Sequence, residues 1–215
     1  IIKDGIQKMY VDQKNYFYYI TTTNENYQHP QMPEGSEDGI IRGMYKLIEA
    51  DKPVIRLLGS GSILRESVKA RDILQKYKVS AEVWSVTSFN LLRKDGMETE
   101  RYNQLNPNSK EKKSYVGTCF ESNPIPVIAS TDYMRSYAEQ IRPYIDEDFT
   151  VLGTDGFGRS DSREMLREFF EIDANSIVRA SAYTLYKNGN LNKDILDKIY
   201  KDIGVDSTKI NPWEA

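Results

Sequence analysis

The chain has 215 residues, enough for one sizeable core, with 29 basic against 32 acidic side chains and a net charge of −3. Scattered basic residues without a stripe argue against nucleic acid, and a single cysteine, Cys119, leaves no disulfide framework or cysteine metal site. No apolar run approaches the ~18 residues of a membrane helix and no signal peptide is visible, so the expected setting is cytoplasmic, with no membrane partner.

The first residue is isoleucine, and residues 1–10 already resemble the middle of a helix, with Ile2, Ile6, Met9 and Tyr10 near one face and no cap before them. The expectation is a piece of a longer protein that starts inside a preceding domain. Residues 16–23 are aromatic and β-branched and predict a strand. Residues 24–39, with Pro30 and Pro33, predict a linker, and helical potential returns over 40–49.

From Pro53 a regular alternation begins. Strands are predicted at 54–58, 81–86, 126–130 and 149–152. Helices are predicted from the glycine turn to Lys76, after Ser88, over 132–142, from about Ser162, over 174–187 and over 193–202. Ser160 or Asp161 is the expected cap of the helix near Ser162, with Glu164 placed for a capping box. Strands alternating with helices over short turns give an α/β fold: a doubly wound, mostly parallel sheet with helices on both faces. The expected division is an end piece over 1–24, a linker and connecting helix over 25–52, and the main domain over 53–215.

Two glycine turns invite a ligand reading. Gly59-Ser60-Gly61-Ser62 follows a strand and opens a helix, where free amides favour an anion. Leu64 stands where the dinucleotide fingerprint needs its third glycine, and no Gly-Lys-Ser/Thr follows for a P-loop. Asp155 and Arg159, in the turn containing Gly153, Gly156 and Gly158, could complete a speculative ligand site at the carboxyl ends of the strands. The favoured reading of both turns is structural: tight strand-to-helix connections and self-contained capping networks. Ser130-Thr131-Asp132 reads as an N-cap before a nucleophile, since a serine nucleophile needs a base and no histidine lies near it. His29, the only histidine, reads as a surface group beside Pro30. The lysines among residues 110–113 and the acidic run at 146–148 read as solvated loops. Residues alone give an α/β domain without a complete catalytic constellation.

The ordered motifs go further. Leu57-Leu-Gly-Ser-Gly-Ser-Ile63, Ser85-Val-Thr-Ser-Phe89, Ala129-Ser-Thr-Asp132 and Leu152-Gly-Thr-Asp-Gly-Phe-Gly158 are similar to the C-terminal domain of transketolase-like, thiamine-diphosphate-dependent enzymes. Tyr18-Tyr-Ile-Thr-Thr22, Asn24-Glu-Asn-Tyr27, Met32-Pro-Glu-Gly35, Ser130-Thr-Asp-Tyr-Met134 and the run from Gly153 to Glu164 resemble more narrowly the homodimeric bacterial pyruvate dehydrogenases. The resemblance implies a parent enzyme that decarboxylates pyruvate oxidatively and acetylates lipoyl groups reductively. It implies thiamine diphosphate and magnesium in the parent and none bound to this chain, because the family's magnesium ligands, pyrimidine-facing glutamate and catalytic histidines lie upstream of Ile1. Residues 1–24 would end the pyrimidine-binding domain. The implied partners are the upstream domains, a second subunit and the dihydrolipoamide acetyltransferase. Transketolases carry a phosphate-gripping arginine where Asn24 stands here, so Asn24 is the substrate-proximal candidate and fits a substrate without a phosphate. Two rival readings remain: a small-ligand or nucleotide-binding regulatory module, and another transketolase-like enzyme. The apolar face of residues 1–23 is expected to self-associate, or to be left partly disordered, when its normal cover is missing.

Overall fold

The computed structural model describes residues 1–23 and 26–215. A parallel sheet forms where the alternation began: β2 (Ile55–Ser60), α3 (Leu64–Lys76), β3 (Ala81–Val86), α4 (Phe89–Leu105), α5 (Tyr115–Phe120), β4 (Val127–Ser130), α6 (Arg135–Glu139) and β5 (Phe149–Leu152). Three helices close the chain: α7 (Arg163–Phe169), α8 (Ala174–Lys187) and α9 (Lys193–Asp202). Ahead of the alternation lie α1 (Ile2–Ile6), continued as a π-helical turn over Gln7–Val11, then α2 (Glu37–Arg42) and β1 (Met44–Ile48). The strand order is β1-β3-β2-β4-β5, with β1 antiparallel to β3 and the other pairs parallel.

Alternation along each strand sends side chains to two cores. Ile55, Leu57, Val83, Ile128 and Leu152 face Ala70 and Leu74 of α3 and Ile177, Val178 and Leu185 of α8. Leu58, Trp84, Val127, Ala129 and Val151 face Phe89 and Leu92 of α4, Val116 and Phe120 of α5 and Ala138 of α6. Burial on both faces is what a parallel sheet requires, and it explains why the strands read as short apolar runs. Five helices begin at a capping side chain: Ser88, Ser114, Ser162, Asp173 and Asn192 each accept a backbone amide two or three residues into the helix.

One polar pair interrupts the second core. Arg56, 2% exposed, donates from Nε to Glu82 Oε1 at 2.5 Å and from Nη2 to the Asn123 carbonyl at 3.1 Å. Glu82 also accepts Trp84 Nε1 at 3.1 Å and pairs with Lys46 at 3.3 Å. The guanidinium lies 3.9 Å from the centre of the Phe120 ring.

The structure corrects three local expectations. Residues 44–48 form a strand where a helix over 40–49 was expected. Gly43, at φ +118°, terminates α2, and a side chain there would meet the Ser88 carbonyl at 2.8 Å. The chain then pairs along β3, and tertiary pairing outweighs local helix preference. Residues 16–23 form no strand, because a strand exists only through a neighbour and none of the described residues pairs with this segment. It packs instead on α1, with the Tyr18 hydroxyl donating to Asp4 at 2.6 Å, while Phe17 and Tyr19 stay 86% and 87% exposed. The helix expected over 132–142 is confined to α6, followed by a 3-10 turn at Arg142–Tyr144 that carries Pro143 in its first positions.

Candidate functional site: the crevice between two half-sheets

From β2 the chain crosses through α3 to β3 on one side, while β4 and β5 lie on the other. The winding reverses between β2 and β4, and open α/β sheets bind ligands outside the carboxyl ends of the strands at such a reversal. Two loops meet there. Ser60 Oγ donates to Thr131 Oγ1 at 2.9 Å, and Ser62 Oγ donates to Asp132 Oδ2 at 3.1 Å. Thr154, just after β5, donates from its hydroxyl to the Asp132 carbonyl at 2.6 Å and from its amide to the Tyr133 carbonyl at 2.9 Å. Asp132 therefore ties β2 to β4 instead of capping a helix, and Met134 is the residue before α6. An open groove of 630 Å³ runs beside this seam, lined by Asp132, Tyr133, Met134, Tyr137, Gln140 and Thr154 among others. Burial pushes the Tyr137 hydroxyl's pKa up, and neighbouring Tyr133 adds to the shift.

The glycines of the first turn do different work. A Cβ on Gly59 would sit 2.6 Å from Leu64 Cα and 2.7 Å from Ser67 Oγ, so Gly59 lets α3 lie directly on β2. A Cβ on Gly61 would meet only Asp132 Oδ1, at 3.7 Å, but its φ of +54° starts the turn into α3. Among the described residues no side chain caps α3.

The other half of the expected site makes contacts of its own. Asp155 accepts the Arg135 amide at 3.1 Å and pairs with the Arg135 guanidinium at 3.4 Å. Arg159 donates to the Ala215 carbonyl and lies 5.4 Å from the Phe169 ring centre. Among the described residues no hydrogen bond or ion pair joins Gly59, Ser60, Gly61 or Ser62 to Asp155 or Arg159. Ser130-Thr131-Asp132 stood out in the sequence as a cap, but its bonds to Ser60 and Ser62 had no local signal, since only the β2–β4 register brings these residues together. Asn24 lies outside the described residues. His29 is exposed in its loop.

Among the described residues no group of three or more His, Cys, Asp or Glu side chains is placed to hold a metal ion. Cys119 is half-buried, and burial pushes its thiol's pKa up, away from the thiolate a nucleophile needs.

The family model described as the transketolase-like TK C-terminal domain matches residues 43–173. The chain belongs to this family. A second model, the pyruvate dehydrogenase E1 component middle domain, matches residues 1–30 of the transketolase-like chain. The pyruvate dehydrogenase E1 component of Pseudomonas aeruginosa is 48% identical over 220 residues, covering 100% of this chain and 25% of that protein. The pyruvate dehydrogenase E1 component of Escherichia coli K12 is also 48% identical, over 217 residues, covering 99% of this chain and 24% of that protein. The chain thus spans about a quarter of the length of these curated relatives. Among solved structures, a transketolase from Pichia stipitis superposes with a TM-score of 0.52 at 18% identity, covering 76% of this chain and 21% of that one, a likeness of fold alone.

Proposed function

We propose that this chain is the C-terminal part of a thiamine-diphosphate-dependent pyruvate dehydrogenase E1 component of the bacterial cytoplasm. The parent decarboxylates pyruvate oxidatively and passes the acetyl unit to lipoyl groups of a dihydrolipoamide acetyltransferase. The observation that carries this reading is the 48% identity to E1 components across essentially the whole chain. The catalytic apparatus, with thiamine diphosphate and magnesium, belongs to upstream domains of the same chain. The described residues accordingly offer the transketolase-like domain a structural role: it packs on those domains and supports a homodimer. Residues 1–24 end the pyrimidine-binding domain, 25–52 connect, and 53–215 form the C-terminal domain. On the family resemblance, Asn24 is the substrate-proximal candidate.

The exposed apolar surface supports a packing role. Ile2, Ile6 and Tyr10 recur at helical spacing at 69%, 52% and 75% exposure, beside the outward rings of Phe17 and Tyr19. Such a stripe on a segment matching part of a middle domain calls for the rest of that domain as its cover. The seam of Ser60, Ser62, Thr131 and Asp132 serves the fold by joining the two half-sheets.

Two measurements on purified protein test the proposal. The intact parent should release carbon dioxide from pyruvate in the presence of thiamine diphosphate, magnesium and an electron acceptor, whereas the 215-residue chain should be inactive and show no heat of binding with thiamine diphosphate. An intact parent inactive toward pyruvate would overturn the activity. Tight cofactor binding by the 215-residue chain would overturn the assignment of the cofactor site upstream.

A further inference from the structure

We draw no further inference here: the strongest candidate, the hydroxyl-lined crevice at the first turn before α3, belongs to the seam already described, since Ser60, Ser62, Thr131 and Asp132 satisfy one another and the buried, unpartnered hydroxyl of Ser130 shares the strand face of Ile128 under the helices instead of opening into the crevice.

Discussion

Gly59 and Gly61 stand two residues apart in one turn, and the structure separates their roles sharply enough to test. In Gly59→Ala the new methyl sits 2.6 Å from Leu64 Cα, 2.7 Å from Ser67 Oγ and 3.1 Å from Leu64 Cδ1. The side-chain contacts can yield, but the contact with Leu64 Cα is with backbone. β2 is hydrogen-bonded on both sides, to β3 and to β4, so it cannot retreat without disturbing two ladders. Overpacking of this kind costs ~1–3 kcal/mol, and a backbone clash in a central strand belongs at the upper end. At about 2–4 °C per kcal/mol for a domain of this size, Gly59→Ala should lower the melting temperature by about 6–12 °C. Gly61→Ala meets nothing closer than Asp132 Oδ1 at 3.7 Å and carries only the left-handed backbone penalty. That penalty is about 1 kcal/mol, or about 2–4 °C. Asparagine tolerates the left-handed region, so Gly61→Asn should recover most of this loss, whereas Gly59→Asn should be worse than Gly59→Ala. Thermal melts followed by far-ultraviolet circular dichroism read all four variants. A Gly59→Ala protein that melts with wild type, or equal losses at the two positions with asparagine, would refute the assignment of Gly59 to helix–strand contact.

Three further outcomes are expected. Glu82→Ala strands the buried Arg56 guanidinium and should cost ~3–5 kcal/mol in urea unfolding; the double change to Arg56→Met and Glu82→Leu should cost less than Glu82→Ala alone, and a larger loss would contradict the ion-pair reading. At Glu171, burial raises the carboxyl pKa, but the hydrogen bond and charge of Arg179, 2.6 Å away, together with Lys209, outweigh it and hold the group below the usual glutamate range. A depressed carboxylate stabilises fully above its unfolded pKa of about 4.3 and loses that contribution as pH falls through the folded value. The stability gap between wild type and Arg179→Met should therefore close as pH is lowered from about 6 to about 3, and a constant gap would count against the pair. Finally, a chain beginning at Pro33 should sediment as a monomer at concentrations where the 215-residue chain self-associates, with little change in melting temperature; identical sedimentation of the two would remove the argument that the face of residues 1–23 is sticky.

What could be read in advance depended on whether an element's cause was local. The four parallel strands announced themselves because burial on both faces makes each a short apolar run between turns. Helix starts at Ser88 and Ser162 were legible because a cap acts within one turn, although the second cap fell beyond the expected Ser160 or Asp161. β1 was not legible, since its strand character comes from β3, about 40 positions away, and nothing in residues 44–48 outweighs their helical potential. The strand expected at 16–23 had the opposite problem: a strong local signal whose partner is not among the described residues. At the candidate site the two glycine turns were found, but not the partners their side chains take. Ser60 meets Thr131 through the β2–β4 register, while Asp155 turns to Arg135, and no short-range pattern encodes either choice. The motif resemblance succeeded where local physics stopped, because it carries long-range information, and the 48% identity to E1 components agrees with it.

The seam between the half-sheets also has a consequence for the order of folding. One half, β1, β2 and β3, comes from a continuous stretch within residues 44–86, and the other, β4 and β5, from within 127–152. Joining them closes a long loop, since Ser60 and Thr131 are 71 positions apart. Loop closure over such a span loses entropy before its contacts repay it, so each half should form earlier than their junction. The Arg56 amide, bonded across the junction to the Pro126 carbonyl, and the Val127 amide, bonded within its own half to the Asp148 carbonyl, report the two events separately. In pulsed hydrogen exchange during refolding, Val127 should gain protection before Arg56. Simultaneous protection would mean that the sheet condenses as one unit.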